Sequence, residues 1–314
     1  MTVNLVVDVG GTNTRVAQTN GPMVNRGSIQ RYRNDDFAQL TDVIQRYCAD
    51  HGPAGFDAVC ACLAGPVEGN MGRLTNRDWS IDTETLAQTA GATRGALLND
   101  LQAQGHAVGQ LGADALTPIL TGFGQSDSNT RLVINVGTGF NAAVVYETRH
   151  GTFVPPSECG HATLPLRSND DMTLAQFIAQ HHGFPSVEEA LSGRGLETIH
   201  AFVNQQNSAA GHMTTSQQIM ADFLSGQAPH AQTTAQWFSR FIGAVAGDLA
   251  LVHLPFGGIY LVGGMARAFG PYLCDLGFAT AFHDKGRFGD YTKQFTVHMV
   301  KDDYAALTGC ATYL

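Results

Sequence analysis

One segment type occurs twice in this chain. "VVDVGGTNTRVA" at residues 6–17 and "VINVGTGFNAAV" at residues 133–144 align so that Asp8 falls on Asn135. Each is an apolar run that stops at glycines and then resumes, the pattern of a strand, a tight turn and a returning strand. Gly10 and Gly11 are expected to allow positive φ and close approach of a bulky ligand, with the hydroxyl of Thr12 and the amide of Asn13 at the tip. Successive N–H groups in such a turn can form a nest for an anion. A lone Gly-Gly-Thr-Asn hairpin is an ordinary connection. Asp8 is not ordinary, because a carboxylate at the buried end of a strand is costly unless it meets a metal, a water or a donor. Two such hairpins, one in each half, point to two walls gripping one polyanion.

The 314 residues, 44% hydrophobic, exceed a typical single core and predict two domains. A net charge of −9 and the absence of a basic patch disfavour nucleic acid and anionic membrane as partners. No signal-peptide pattern or membrane-length apolar run is present, so a cytoplasmic protein is expected. Cys48, Cys60, Cys62, Cys159, Cys274 and Cys310 lack paired metal spacing and are expected to be free thiols. Cys60 and Cys62 alternate along a strand and share one face.

The rest of the chain alternates strands with helices. A third strand is expected at 24–29, a helix at 37–51 from its apolar stripe, a strand ending at Gly65-Pro66, a short helix capped by Asp82, and a strand in "GALLND". Residues 204–234 are the least informative, with a connecting helix expected at 219–224. Residues 234–254 read as a buried helix carrying Gly243 and Gly247, followed by a strand at 259–262 and "GGMARAF". Polar residues cluster at strand ends, where open α/β sheets bind ligands. The third glycine element, Gly263-Gly264, suits a nucleotide packing on backbone. Neither GxGxxG nor GxxxxGK[ST] occurs, so a dinucleotide fold and a Walker loop do not fit.

The residues resemble the bacterial glucokinase family of the hexokinase, actin and Hsp70 superfamily, nearly end to end. The resemblance is carried by "DVGGTNTR" (8–15), "TNRDW" (75–79), "LLNDL" (97–101), "ECGH" (158–161), "EEALSGRGL" (188–196), "FGGIYLVGG" (256–264) and "FHDKGRF" (282–288). It implies a two-domain α/β fold of the actin-like ATPase (ribonuclease H-like) type with a glucose/ATP cleft. The small domain would comprise 1–108 plus 300–314, and the large domain 109–299. A homodimer is implied as well.

Phosphoryl transfer to a sugar hydroxyl needs positioning, charge neutralisation and a carboxylate to take the proton. Asp100 is the candidate base at a strand end, facing the reacting oxygen while Asn99 beside it holds the sugar, although an Asn-Asp pair after a strand equally reads as a helix N-cap. The family's Asn-Asp pair falls on these residues, and its sugar-binding positions fall on Glu158, His161 and Glu188. On their own, Glu188 reads as a solvated helix charge and His161 as a structural histidine. Asp8 is similar to the family's aspartate that reaches Mg²⁺ through water. Gly10, Gly11, Thr12, Asn13, Gly137, Thr138 and Gly139 would meet the phosphates of ATP, and Gly263 and Gly264 would flank adenosine. Trp79 is expected on a sugar-side loop and Trp237 far from it.

Two departures stand out. Asn141 and its neighbours replace the family's Gly-Thr-Gly-Leu-Gly continuation, and Ser157 and Cys159 stand where glycines are usual. The zinc-binding cysteine motif of the repressor-type (ROK) sugar kinases is absent. The resulting expectation is an ATP-dependent kinase acting on the 6-hydroxyl of glucose. The alternatives are a kinase for another hexose, a non-catalytic sugar sensor, or an actin-like or Hsp70-like ATPase.

Overall fold

The computed structural model describes residues 2–51, 55–124, 126–207 and 214–314. The chain divides into two compact units, one of Met1–Gly112, Thr148–Pro156 and Asp302–Leu314, the other of Ala113–Glu147 and Ser157–Lys301. Against the boundaries expected from sequence, residues 109–112 and 148–156 group with the first unit and 300–301 with the second.

The first unit opens with strands β1 (Val3–Val9) and β2 (Asn13–Asn20), which pair antiparallel as a hairpin. The strand expected at 24–29 is broken. β3 (Met23–Val24) stops early because the Asn25 side chain accepts from the Gly27 N–H and caps a 3₁₀ turn at Arg26–Ser28, a local bond that competes with extended pairing. β4 (Gln30–Arg33) then pairs with β2. Helix α1 (Leu40–His51) starts three residues later than its apolar stripe suggested, with Phe37 extended, and buries Leu40, Val43, Ile44 and Tyr47 at helical spacing. β5 (Ala58–Leu63) runs parallel to β1 and is buried throughout. A small sheet of β6 (Val67–Glu68), β7 (Met71–Arg73) and β8 (Ser80–Asp82) follows. Asp82 caps α2 (Thr83–Ala90) as expected, accepting from the N–H groups of Glu84 and Thr85. β9 (Gly95–Asn99), parallel to β5, leads directly into α3 (Asp100–Ala107).

The second unit repeats the core of this plan. After β10 (Leu116–Leu120), β11 (Arg131–Val136) pairs antiparallel with β12 (Phe140–Thr148) in the second glycine hairpin. A short strand, β13 (Gly151–Phe153), lies in the stretch that groups with the first unit. Helices α4 (Asn169–His182), α5 (Val187–Ala190), α6 (Gly193–Gln206), α7 (Ser216–Ser225) and α8 (Pro229–His253) precede β14 (Ile259–Val262), which is parallel to β11. Then come α9 (Gly264–Phe269), α10 (Phe278–His283), α11 (Gly289–Thr292) and β15 (Val297–Val300), and the chain returns to the first unit with α12 (Ala305–Tyr313). The connecting helix expected at 219–224 is α7; residues 208–213 of the uninformative stretch lie outside the described residues.

Alternation along β1 builds two cores in the first unit. Leu5, Val7 and Val9 face α1 and α2, whereas Val6 packs with Cys60, Cys62 and Leu98 against Ala306, Leu307 and Cys310 of α12. The shared face expected for Cys60 and Cys62 is thus the one that α12 covers. In the second unit Leu132, Ile134 and Val136 pack beneath α6 and α8. Gly243 and Gly247 have a packing reason: a Cβ there would stand 2.3 Å from the Phe278 carbonyl oxygen and 2.4 Å from that of Phe282, so α10 rests directly on the α8 backbone. No described helix is long and apolar enough to cross a membrane.

Asp171, 1% exposed near the start of α4, accepts from Arg240 at 2.7 Å and from the N–H groups of Arg167 and Ser168. Burial alone raises its pKa, but the Arg240 bond and those N–H groups bring the net value below the ordinary carboxylate range. A depressed native pKa stabilises fully above the unfolded value of about 3.9 and is lost as pH falls through the native one. Arg240→Ala is therefore expected to lower the unfolding midpoint at pH 7 and to differ less from the parent near pH 3; an equal loss at both pH values would assign the effect to packing. Gly243→Ala is expected to cost about 1–3 kcal/mol, the range for overpacking, in urea unfolding; an unchanged midpoint would show that α10 can move aside.

Candidate active site

The first glycine turn is held from outside by a residue the sequence did not single out. Asn34 is fully buried, and its amide nitrogen donates to the Gly10 carbonyl at 2.7 Å and to that of Gly11 at 3.2 Å. Its side-chain oxygen accepts from the Thr14 hydroxyl at 2.8 Å, and its backbone N–H donates to the Thr12 carbonyl. Neither Gly10 nor Gly11 takes a positive φ, contrary to expectation. The Gly10 N–H closes the turn on the Asn13 carbonyl, so it is engaged within the protein. With the carbonyls taken by Asn34, the exposed tip at Gly11 and Thr12 is the part of the turn left to meet a ligand.

Asp8 finds its donor in the same hairpin. β1 and β2 register Asp8 opposite Arg15, whose guanidinium meets one carboxylate oxygen at 2.8 Å. The Cys62 thiol lies 3.6 Å from the other oxygen. Contact with Cys310 and full burial push the Cys62 thiol well above its usual pKa, so it remains a protonated donor. A carboxylate met on both oxygens fits a hydrated cation approached through water better than direct coordination. Among the described residues no group of three His, Cys, Asp or Glu side chains is arranged to hold a metal.

Asn99 and Asp100 stand at the end of β9 in the same parallel sheet as Asp8. Asn99 is the N-cap of α3: its side-chain oxygen accepts from the Leu101 N–H at 3.0 Å, and its amide nitrogen donates to the Gly65 carbonyl at 3.0 Å. The capping reading is correct for Asn99. Asp100, the first residue of α3 and half-buried, accepts from the Leu101 N–H at 2.8 Å, which fixes the turn of its carboxylate. Asn76 of the "TNRDW" segment is the side chain nearest to where a Gly11 Cβ would be, at 3.9 Å. Trp79 ends the loop between β7 and β8 with its side chain turned inward. It is 4% exposed in the core, with the Arg77 guanidinium 5.1 Å from its ring centroid. An indole plugged into a core is a poor reporter of sugar binding. Trp237, only partly buried on α8, packs against Phe202 and Phe241.

In the second unit three glycine segments converge. Asn135, the counterpart of Asp8, places its side-chain oxygen 3.4 Å from where a Gly137 Cβ would be and 2.5 Å from that of Gly263, whose φ of 100° only glycine adopts without strain. Gly137 is buried, Thr138 exposed, and the Gly264 N–H lies 3.8 Å from the Gly137 Cβ position. Glu188 joins this group rather than standing as a solvated helix charge: its carboxylate accepts from the Phe140 N–H at 2.9 Å and crowds Gly139. Arg194 lies 3.8 Å from its other oxygen. Glu158 and His161 flank a 3₁₀ turn with both side chains exposed, and the buried Gly160 between them lies against β12 and Glu188. In the second unit Glu188 thus lies against Gly139 and Gly160, beside the turn that meets Gly263 and Gly264, while Glu158 and His161 stand on either side of Gly160. In the first unit Asp8 ends β1 beside the Gly10–Asn13 turn, and Asn99 ends β9 with Asp100 next to it.

A cavity of about 280 Å³ elsewhere in the second unit is lined by Arg167, Asp171, Arg240 and Asp284. Its charges pair with one another, at 3.2 Å for Arg167–Asp284 and 2.7 Å for Arg240–Asp171, and no candidate residue lines it. The glycine turns have the stronger chemical claim.

Residues 5–314 match the model of the family described as glucokinase. The chain is 31% identical over 310 residues to a glucokinase of Agrobacterium fabrum, covering 98% of this chain and 91% of the relative. It is likewise 31% identical over 311 residues to a glucokinase of Aromatoleum aromaticum, covering 99% and 94%. Among solved structures, a glucokinase from an Antarctic psychrotroph superposes with a TM-score of 0.88 at 26% identity, covering 100% of this chain and 99% of that one. A ROK hexokinase from Thermus thermophilus shares the fold at a TM-score of 0.69 and 18% identity, covering 98% and 97%. With the two-domain α/β fold, the repeated glycine hairpins and a match over almost its whole length, the chain belongs to the glucokinase family.

Proposed function

We propose that the protein transfers the γ-phosphoryl group of ATP to the 6-hydroxyl of glucose, giving glucose 6-phosphate, with Asp100 as general base. The observation that carries this reading is the placement of Asp100 at the carboxyl end of β9, in the same parallel sheet as Asp8 and the first glycine turn, with its carboxylate fixed by the Leu101 N–H. A carboxylate so placed can accept the hydroxyl proton as the sugar oxygen attacks phosphorus and ADP leaves. Asn99 keeps the α3 terminus and the Gly65 backbone in place around it. Glu158, His161 and Glu188 bind the sugar hydroxyls. The turns at Gly11–Thr12 and Gly137–Gly139 bind the phosphates through the N–H and hydroxyl groups at their tips, the Gly137 N–H being engaged with the Gly139 carbonyl, and Gly263 and Gly264 pack against the nucleoside.

Mg²⁺ bound with ATP would neutralise phosphate charge, and Asp8 is the residue that would hold its water shell. The Arg15 bond orients one oxygen of Asp8 within the protein itself. We place the protein in the cytoplasm as a homodimer, on the family resemblance and the absence of a membrane-length helix among the described residues.

A coupled assay with ATP and Mg²⁺ across a hexose panel should give glucose the highest kcat/KM; preference for another hexose would replace the substrate assignment. Asp100→Asn is expected to lower kcat by about two to four orders of magnitude, the range for a lost general base, with glucose binding changed far less. Near-normal turnover would remove Asp100 from the mechanism. Asn34→Ala leaves the Thr14 hydroxyl and two turn carbonyls without their partner. It should cost about 1–3 kcal/mol of stability and raise KM for ATP more than KM for glucose; equal KM values with the parent would mean that the turn keeps its shape unaided.

A further inference from the structure

Two consecutive residues of β12 hold the loop that carries Glu158 and His161. The Phe140 carbonyl lies so close to Gly160 that a Cβ there would stand 1.9 Å from it. Asn141 reaches further. Its amide nitrogen donates to the Ser157 carbonyl, and its side-chain oxygen accepts from the Cys159 thiol at 3.5 Å. That oxygen also accepts from the Ala142 N–H at 2.8 Å, which fixes the rotamer. Ser157 in turn accepts the Cys159 N–H on its hydroxyl at 3.3 Å, and the Glu158 carbonyl accepts the His161 N–H at 3.1 Å. The carboxamide of Asn141 therefore grips the residue on each side of Glu158, in a turn that also sets His161. The three positions that depart from the family pattern are in contact with one another.

The chemistry requires both ends of an amide. Ser157 offers a carbonyl and needs a donor; Cys159, kept protonated by burial, offers a donor and needs an acceptor. Asparagine supplies both from one planar group. Aspartate would set an acceptor against the Ser157 carbonyl, and glycine would supply neither. We propose that Asn141 is a positioning residue for the sugar: it locks the Ser157–Cys159 backbone so that Glu158 and His161 are presented in one geometry. This rests on the reading of Glu158 and His161 as sugar-binding residues, and the test separates the two.

Asn141→Asp, Asn141→Gly, Cys159→Ser and Glu158→Gln are compared in the full chain by kinetics, by calorimetric glucose binding without nucleotide, and by thermal unfolding. Asn141→Asp and Asn141→Gly should weaken glucose binding and raise its KM about tenfold, the scale of one or two lost hydrogen bonds. KM for ATP and the unfolding midpoint should stay close to those of the parent. Cys159→Ser keeps a donor and should retain near-parental glucose affinity. Glu158→Gln should weaken glucose binding as well. If Glu158→Gln weakens it and the Asn141 variants do not, the clamp is refuted and the sugar assignment stands. If Glu158→Gln leaves glucose binding unchanged, the sugar assignment fails and takes the clamp with it. Parallel loss of both KM values, kcat and the unfolding midpoint in the Asn141 variants would make Asn141 merely structural and overturn the proposal.

Discussion

A glycine turn binds a polyanion only if something else holds its shape, and in this protein that work falls to side chains from outside the hairpin, one fully buried and one half-buried. Asn34 takes the Gly10 and Gly11 carbonyls of the first turn. Glu188 takes the Phe140 N–H just beyond the second. An amide can oppose carbonyls and a carboxylate can oppose an N–H, so each brace matches the backbone atom that its turn presents. The strand pairing of the two halves is the same: a hairpin whose first strand runs parallel to a later one. The braces differ. The repeat is therefore preserved in its backbone and has diverged in the side chains that stabilise it.

The polar strand ends show the same divergence. Asp8 carries a charge, and the hairpin register supplies Arg15 directly across from it. Asn135, at the equivalent place, is neutral and sits between the Gly137 and Gly263 backbones, where a charge would have no partner of this kind. One strand end thus carries a carboxylate paired with Arg15, and the other an amide packed on glycine backbone.

What could be read from the sequence was local. The two hairpins, the Asp82 cap, the Ile259–Val262 strand and the alternation that buries Cys60 and Cys62 together depend on near neighbours, and the structure has them. The Asp8–Arg15 pair was also within reach, since a tight turn over Gly10–Thr12 sets the register that makes them partners. Asn34 was not legible. Its partners lie more than 20 residues back along the chain in a turn with no sequence mark of needing it. Trp79 lies in the loop its motif suggested, with Asn76 beside the glycine turn, but its indole points into the core, a direction that position in the sequence does not set. The glycines at 10 and 11 were assigned a positive φ that the turn does not use. Glycine in a sequence signals small size as readily as unusual dihedral angles.

The thiol-lined face of β1 and β5 is sealed by α12, a helix formed from residues that come after the whole of the second unit. This has a consequence for how the chain is made. A nascent polypeptide emerging from the ribosome carries the first sheet long before its covering helix exists, so that sheet must wait with Val6, Cys60 and Cys62 uncovered by that helix while more than two hundred later residues are synthesised. The opposite face, which packs on α1 and α2 with residues no later than Leu97, can close early, whereas the thiol-lined face is finished only by the end of the chain.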